Sequence, residues 1–552
     1  MAARDRLVDA DAVARLHRRD VTLFSQDPKV QETVADRLGW TELSKVGREV
    51  LPRIQALAEQ AAKEGVTDVA LLGMGGSSLA SLVISRVLGG RGATMHVLDT
   101  TSPITVRHAL ETLDPAKTLY LVASKSGGTI EPNTLYSIFR EKADAKLGRA
   151  AAGKRFIAIT DPGTSLEALA VDQGFRAVVQ APGSVGGRFS ALTTFGLLPA
   201  ALVGADVAVM LDRAATAERA CASSPEENPA VELAAFIADS RDEGADKLTV
   251  VAPEQLRTFG LWVEQLVAES LGKHGMGVVP VVELADTPRG YGPDRAIVVV
   301  RMTGDTRLAE WAQSQRGRHP VYEIVFDDAY DIAEEFVRWE YAVALTGFLL
   351  GINPFDEPNV AEAKAATAGV MDGSVSAPAP QGAADSVMVT FAGGLEAPGH
   401  PERTPATAIG HAVAALEEGD YLVLLAYLPD DEALLAPLTV VVPSVAAETG
   451  AAVCLEVGPR YLHSTGQLHK GGPNNGVFIL ITTQDRTDMP VPGQEWGLGN
   501  LYRAQAEGDL VTLASHDRRV LRLDLPDASR ETVEKLAGAL ADGAGVVRED
   551  GA

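Results

Sequence analysis

Cysteine is scarce in this sequence of 552 residues. The two cysteines, Cys221 and Cys454, lie in unrelated alanine-rich stretches without metal-ligand spacing. Two isolated cysteines exclude a disulfide framework and a cysteine-based metal site. A reducing compartment is the simplest inference, and the charged N-terminus has no apolar segment of the kind found in secretion signals. We therefore expect a cytoplasmic protein.

Long apolar runs and an excess of positive charge are also missing. No apolar run approaches the roughly 20 residues that span a bilayer, so we expect no membrane partner. The chain has 49 Lys and Arg against 74 Asp and Glu, which gives a formal net charge of −25. Such a charge argues against nonspecific binding of nucleic acid. Any anionic ligand must then be held by local donors against the field of the whole chain.

The chain is long enough for several hydrophobic cores, and its 46% apolar and 22% charged residues are typical of a globular protein. Strands that alternate with helices and consist of near-continuous apolar runs predict an α/β fold with doubly wound parallel sheets. The predicted regions are a helical N-terminal segment (1–65), a first α/β domain (66–205), a second α/β domain (206–372), a linker rich in proline, glycine and alanine (373–384) and a C-terminal α/β region (385–552).

The stretch TLYLVASKSGGTIEPNT, residues 118–134, organises these predictions. It contains an apolar strand, a loop rich in hydroxyls and glycine, and Pro132 at a position suited to the first turn of a helix. Such a loop binds small anions, because free N–H groups point at the ligand and glycines let the backbone come close. An ordinary βα loop made of turn residues is the alternative interpretation. The side-chain donors of the loop are Ser124, Lys125, Ser126 and Thr129.

Two further glycine-rich loops could converge on the same crevice. GMGGSS, residues 73–78, lies between a predicted strand and a predicted helix and supplies Gly76 and Ser77. A glycine pair is also common in tight βα turns, so this stretch alone is weak evidence. In VGGRFS, residues 185–190, two glycines precede Arg188, whose permanent charge suits an oxyanion. A surface arginine on a loop is the alternative.

The remaining candidates are one carboxylate and three basic side chains. Glu269 lies near the end of an apolar helical run, where partial desolvation would favour a general base, although a solvated glutamate is the simpler interpretation. Lys364 follows the helix break NPFDEP and, by pattern alone, is a surface lysine. His463 and His469 are six residues apart and do not share a helix face, so each is interpreted as an ordinary loop histidine.

Together these stretches resemble the glucose-6-phosphate isomerase family, which is built from two sugar-isomerase α/β domains. GMGGSS resembles the family's GIGGS loop, and SKSGGTIEPNT resembles its SKTxTTxET phosphate loop. VGGRFS resembles VGGRYS, ESLGK resembles ESxGK, and GFLLGINPFDEPNVAEAK resembles the bacterial GYLLGxNPFDQPGVEAYK. The resemblance covers roughly residues 65–370 in family order. It implies an aldose–ketose isomerase that acts on a small sugar phosphate and needs no cofactor and no metal.

One segment departs from the family in its position. LHSTGQ, with His463, resembles the family's LHSLGQ segment, which in ordinary members lies between the glutamate and the lysine. Here it follows both Glu269 and Lys364, as in a rearranged isomerase similar to the isomerase part of transaldolase–isomerase fusion proteins. In the family this histidine comes from the partner subunit of a dimer. The moved segment therefore leaves open a homodimer and whether the histidine acts in its own chain or in the partner.

Two binding stretches also depart from the family pattern. Glu357 stands where the family has a glutamine, and Ser126, Gly127 and Gly128 replace part of the threonine-rich loop. These differences bear on how the substrate is held and on the rate, more than on the class of reaction. They also keep open a dual specificity for glucose and mannose phosphates as the nearest alternative.

The resemblance implies a role for each matching residue. Glu269 would move the proton between C2 and C1 of the open-chain sugar, Arg188 would stabilise the cis-enediolate, and His463 with Lys364 would serve ring opening. The residues that would hold the phosphate are Ser77, Ser124, Lys125, Ser126 and Thr129, with Gly76 and Glu357 near the substrate.

We therefore hypothesise interconversion of glucose 6-phosphate and fructose 6-phosphate. A non-catalytic regulator that binds sugar phosphates is an alternative from another class. Such a regulator would need the serine-rich loop but not Glu269, Lys364 and His463 together. The acidic sequence also shows no DNA-binding motif or basic patch that would favour the regulator.

Overall fold

A computed structural model describes residues 2–284, 291–399 and 404–546. In this part of the chain the strands form three sheets of five, four and six strands. The outer ends of the first and last predicted regions, residue 1 and residues 547–552, lie outside the described residues.

The N-terminal segment is helical. Its helices are α1 (Ala3–Asp9), α2 (Ala12–His17), α3 (Pro28–Ala35) and α4 (Leu43–Lys63). Asp27 caps α3 by accepting the backbone N–H of Lys29, and a proline at the first helical position loses no hydrogen bond. Leu7 and Trp40 are buried in the same core as strands of the first two sheets, so the segment completes that core.

The first sheet is parallel and has the strand order β2-β1-β3-β4-β5. The chain passes from β1 to one neighbour, β2, and then returns to the other side at β3. The carboxyl ends of β1 and β3 therefore border the crevice where doubly wound sheets bind ligands. The loops 73–78 and 124–129 leave the sheet at these two ends. The elements are β1 (Asp68–Leu72), α5 (Leu79–Leu88), β2 (Thr94–Leu98), α6 (Pro103–Thr112), β3 (Thr118–Ala123), α7 (Ile130–Leu147), α8 (Arg149–Gly153), β4 (Phe156–Thr160), α9 (Ser165–Asp172), β5 (Ala177–Gln180) and α10 (Thr194–Leu202).

The second sheet is also parallel, with the order β7-β6-β8-β9. All six residues of β6 are buried, as expected for a central strand covered on both faces. The predicted α/β class with doubly wound parallel sheets is confirmed. The elements are α11 (Val207–Cys221), α12 (Pro229–Asp242), β6 (Lys247–Ala252), α13 (Arg257–Leu271), β7 (Val279–Leu284), β8 (Arg295–Met302), α14 (Thr306–Gln315), β9 (Val321–Phe326), α15 (Ile332–Leu350) and α16 (Pro358–Asp372).

The third sheet is mixed, with the order β10-β11-β15-β14-β12-β13. Strands β12 to β15 run parallel, whereas β11 is antiparallel to β15 and β10 is antiparallel to β11. The elements are β10 (Gly382–Ala384), β11 (Val387–Gly393), α17 (Pro405–Val413), β12 (Tyr421–Ala426), α18 (Glu432–Thr449), β13 (Ala452–Val457), α19 (Gly466–Gly471), β14 (Gly476–Thr483), α20 (Leu498–Ser515), β15 (Arg519–Leu525) and α21 (Arg530–Gly543).

The predicted linker, residues 373–384, is wrong at its end. Residues 382–384 form β10, an edge strand that pairs with β11. Glycine and alanine have low strand propensity, so the hydrogen bonds offered by the neighbouring strand decide the conformation here.

Helix α18 is long and apolar enough to cross a membrane, by length and composition only. This differs from the expectation that no apolar stretch approaches that length. The helix contains Pro437 and Pro443 and buries Leu435, Leu438 and Val445 against its own domain. A single helix of this kind is weak evidence for a membrane span.

The C-terminal region packs closely on the rest of the molecule. Ala268 of α13, Val281 of β7 and Tyr421 of β12 belong to one buried cluster. Helix α16 meets α20 at Gly508, where an added Cβ would lie 2.8 Å from the backbone nitrogen of Thr367. A glycine is therefore required for the two helices to come this close.

We expect Gly508→Ala to destabilise the protein. Alanine normally stabilises a helix relative to glycine by about 1 kcal/mol. At this crossing the added methyl group has no room, and overpacking costs about 1–3 kcal/mol. Urea or thermal unfolding measures the change, with Glu507→Ala on the same helix as the control. A variant as stable as this control would show that the crossing has room to spare.

Candidate active site

The loop after β3 forms a cup at the N-terminus of α7. Ser124 is buried and donates its hydroxyl to Thr129 Oγ1 at 3.2 Å. Gly127 has φ +69°, and a Cβ there would lie 2.9 Å from the backbone nitrogen of Leu166. The first N–H groups of α7 have no acceptor within their own helix, and the helix dipole favours negative charge at this end. The loop therefore offers hydroxyl and backbone donors to a small anion.

Lys125 and Ser126 take different positions on this loop. The Lys125 ammonium forms an ion pair with Asp161 and donates to the carbonyl oxygen of Gly183 at 3.0 Å. Burial raises the pKa of Asp161, and Lys125 opposes that rise. Ser126 is exposed, and its hydroxyl accepts the backbone N–H of Gly128 at 3.3 Å. These two contacts leave one N–H of the ammonium group for a ligand.

The loop after β1 touches two other loops through its backbone. A Cβ at Gly76 would lie 2.3 Å from the carbonyl carbon of Gly187, next to Arg188. Gly75 has φ +55°, and a Cβ there would lie 2.7 Å from the carbonyl oxygen of His463. Ser77 is half-buried on the same loop. These glycines let three segments far apart in the sequence meet at the crevice of the first sheet.

Arg188 is buried and held from several sides. Its Nε donates to Ser270 Oγ at 2.8 Å, and its Nη2 donates to the carbonyl oxygens of Pro354 and Asp356 at 2.7 and 3.1 Å. Its Nη1 lies 3.1 Å from Glu357 Oε2. The guanidinium is thereby fixed in one orientation, with Nη1 on the side of the carboxylates.

Glu269 lies 3.3 Å from this guanidinium, measured from Oε1 to Nη1 of Arg188. Gln265, one turn earlier on α13, donates to Glu269 Oε2 at 3.2 Å and to the carbonyl oxygen of His463 at 2.7 Å. Burial raises the pKa of Glu269; Arg188 lowers it, and the nearby Glu357 raises it further. A carboxylate with a raised pKa suits general-base catalysis near neutral pH.

A second buried cation follows α13 and contacts the turn between α15 and α16. Lys273 is buried, donates to the carbonyl oxygen of Asn353 at 2.7 Å and pairs with Asp356 at 2.8 Å. Burial, together with the positive charge of Arg188, lowers the pKa of Lys273 to about 8. These contacts fix the turn that presents Glu357 to Arg188.

His463 reaches this site within the same chain. Its Nε2 lies 3.0 Å from Oε1 of Glu131, in the first turn of α7. Burial alone would raise the pKa of Glu131, but the interaction with His463 holds it below its ordinary value. Lys364 is exposed on α16, close enough for its charge to lower the same pKa. His469, by contrast, is buried 3.4 Å from Glu456.

Sequence reasoning brought Arg188, Glu269, Glu357 and His463 forward but missed Glu131 and Gln265. Glu131 lies within the stretch 118–134, which we assigned to anion binding. A carboxylate is not expected to bind an anion, so the sequence pattern assigned no role to Glu131. Gln265 is four residues before Glu269, which places both on one face of α13. That spacing was the available signal.

Comparison with known proteins points to one family. The family model of phosphoglucose isomerase matches residues 40–285. A glucose-6-phosphate isomerase from Shouchella clausii is 30% identical over 382 residues, which cover 59% of this chain and 84% of the relative. A probable glucose-6-phosphate isomerase from Natronomonas pharaonis is 31% identical over 345 residues, which cover 55% of this chain and 79% of the relative. The chain belongs to the glucose-6-phosphate isomerase family.

Two solved structures share the fold of this isomerase. A hypothetical protein from Thermus thermophilus superposes with a TM-score of 0.58 at 26% identity, and covers 67% of this chain and 96% of its own. A glucose-6-phosphate isomerase from Chlamydia trachomatis superposes with a TM-score of 0.54 at 16% identity, and covers 67% and 84%. Because its sequence identity is only 16%, the Chlamydia trachomatis structure supports the fold alone.

The pKa of Glu269 generates the first prediction for the isomerase site. A base must be deprotonated, so kcat/KM should fall as the pH drops through the raised pKa of Glu269. Glu357→Gln removes a negative charge and frees Arg188 to act on Glu269 alone. Both changes lower the pKa of Glu269, so the acidic limb of the pH profile should move to lower pH.

The control for this experiment is Glu310→Gln, which removes an exposed carboxylate on α14. It should leave the acidic limb in place. A limb that stays fixed in Glu357→Gln, or moves to higher pH, would contradict the electrostatic coupling between the two glutamates.

Gly76→Ala should abolish or severely reduce activity. Its Cβ would overlap the backbone at Gly187 and push Arg188 away from the crevice. A misplacement on the order of 1 Å can cost about a hundredfold in rate. Gly382→Ala is the matched control, because a Cβ at Gly382 meets nothing within 4 Å. Equal kcat values for both variants would show that the contact between the two loops is dispensable.

Proposed function

We propose that this protein interconverts glucose 6-phosphate and fructose 6-phosphate through a cis-enediolate. The 3.3 Å contact between Glu269 and Arg188 carries the proposal, because it joins a base to a fixed positive charge. The names of the relatives support the substrate. The cup of hydroxyls and N–H groups after β3 supports a ligand with a phosphate group.

The proton transfer uses one carboxylate twice. Glu269 takes the proton from C2 of the open-chain aldose, the C–H electron pair forms a double bond between C1 and C2, and the carbonyl electrons move to O1. Glu269 then returns the proton to C1, while O2 becomes the carbonyl oxygen and passes its own proton to O1. Arg188 stabilises the charge on these oxygens, and its four hydrogen bonds to the protein keep it from reorienting as the charge develops.

We assign ring opening to His463, which is in contact with the carboxylate of Glu131. Opening a cyclic sugar phosphate removes the proton from the O1 hydroxyl and delivers one to the ring oxygen. A histidine held by a carboxylate is suited to such a transfer near neutral pH. Lys364, exposed at the same end of the site, is the second group that we assign to this step.

The phosphate supplies binding energy far from the reacting carbons. We assign it to Ser124, Ser126, Thr129 and Ser77, with Lys125 contributing the N–H that Asp161 and Gly183 leave free. Binding a remote group positions C1 and C2 against Glu269 without any new contact at the reacting atoms. Local donors of this kind also offset the repulsion expected from a chain of net charge −25.

Glu269→Gln tests the proposal. An amide cannot take the C2 proton, so kcat should fall by about a hundredfold to ten-thousandfold. Binding of glucose 6-phosphate, measured by calorimetry, should remain close to that of the parent protein because the phosphate loop is unchanged. Exchange of the C2 proton with deuterated solvent, followed by proton NMR, should be lost in parallel.

Glu254→Gln, an exposed change in the turn before α13, is the control and should keep full activity. Turnover in Glu269→Gln close to that of the parent would refute the assigned base. Assays with mannose 6-phosphate beside glucose 6-phosphate determine whether the specificity is single or dual.

A further inference from the structure

Behind the predicted ring-opening histidine lies a buried side chain from the C-terminal region. Gln505 is on α20 and is only 2% exposed. Its Nε2 lies 2.7 Å from Oε1 of Glu131, the oxygen that also contacts His463. Its Oε1 accepts the hydroxyl of Thr101 at 2.5 Å. Thr101 follows β2 and is fully buried.

The orientation of the Gln505 amide follows from chemistry. An ionised carboxylate has only acceptor atoms, so the NH₂ group of the amide must face Glu131. The amide oxygen then faces Thr101, whose hydroxyl donates to it. The hydrogen bonds therefore run from Thr101 to Gln505 and from Gln505 to Glu131, and Glu131 also accepts from Nε2 of His463 when that nitrogen carries the proton.

Glu131 uses one oxygen for both partners. Oε1 accepts from Gln505 and contacts His463, whereas Oε2 is buried without a hydrogen-bond partner among the described residues. The rotation of this carboxylate therefore depends on Gln505. Without the amide donor, Oε2 could turn toward His463 or the carboxylate could withdraw from it.

We infer that Gln505 is a positioning residue for the isomerase reaction, which holds Glu131 so that His463 keeps its proton on Nε2 and leaves Nδ1 free to exchange protons with the sugar. The inference rests on the proposed function. The inference adds to the proposed function a requirement for α20, a helix of the C-terminal region that carries none of the residues assigned above. Fixing a histidine tautomer through the partner of its other nitrogen is a general device.

Gln505→Met tests this role, because methionine has a similar length and cannot donate a hydrogen bond. Loss of a hydrogen bond to a charged group should lower kcat about tenfold to a hundredfold. KM should change little, since the phosphate loop keeps its contacts. In the ¹⁵N NMR spectrum of labelled histidine, the neutral ring of His463 should change from the Nε2–H tautomer to a mixture. His463→Gln identifies the resonance among the ten histidines.

Thr101→Val extends the test along the chain of hydrogen bonds. Removing the hydroxyl frees the amide to rotate, so kcat should fall in the same direction but by a smaller factor. The double variant should be no slower than Gln505→Met alone, because Thr101 acts through Gln505. If the fold reductions in kcat of the two single variants multiply in the double variant, Thr101 does not act through Gln505.

Gln467→Met is the matched control. Gln467 is a second fully buried glutamine, and it bonds to Gly272 and Asn359 rather than to Glu131. Each of the two variants removes a buried hydrogen-bonding amide, so both should lower the melting temperature, but Gln467→Met should leave the His463 tautomer unchanged. A tautomer change of equal size in this control would mean that general loosening is the cause, and would overturn the inference.

The outcomes for the two proposals are separable. If the parent protein fails to interconvert the sugar phosphates, the proposed function is refuted, while the tautomer measurement still decides the role of Gln505. If the parent protein is active and Gln505→Met keeps both its kcat and a single Nε2–H tautomer, the inference is refuted and the proposed function stands.

Discussion

The site depends on the immobilisation of one buried positive charge. The guanidinium of Arg188 binds Ser270 on α13, two carbonyl oxygens of the turn before α16, and Glu357 at the start of that helix. A charge taken out of water is costly unless it is paired and hydrogen-bonded, so these elements are held at fixed distances from the glycine loops of the first sheet. Glu269 comes to lie beside Arg188 because both belong to this one network.

The C-terminal region is part of the site rather than an appendage. His463 lies against Glu131 of the first domain, and Gln505 donates to the same carboxylate. Gln467 holds the region against Gly272 after α13 and Asn359 at the start of α16. The tight crossing at Gly508 holds α20 in place for these contacts. The segment that carries His463 thus lies about a hundred residues after Lys364 and still reaches the first domain.

The local sequence predicted the strand–loop–helix units, because apolar runs indicate the strands and glycine-rich stretches indicate the loops that follow them. The positions of these loops then predicted the crevice. A resemblance of short motifs also gave Arg188 and Glu269 roles at one site, but not the direct contact between them. The local sequence could not predict that Lys125 pairs with Asp161, or that Glu131 bonds to a glutamine 374 positions away, because such contacts depend on how finished elements pack. The strand β10 escaped prediction for the same reason: its partner strand, not its own residues, determines it.

The arrival of His463 within its own chain has a consequence for assembly. A catalytic group supplied by a second subunit is lost when the protein is diluted below the dissociation constant of the dimer. A group tethered by the polypeptide stays at a constant effective concentration, set by the fold alone. Under the proposed role of His463, the rate per chain would therefore not depend on the concentration of the protein, and association between copies would be free to serve stability or control.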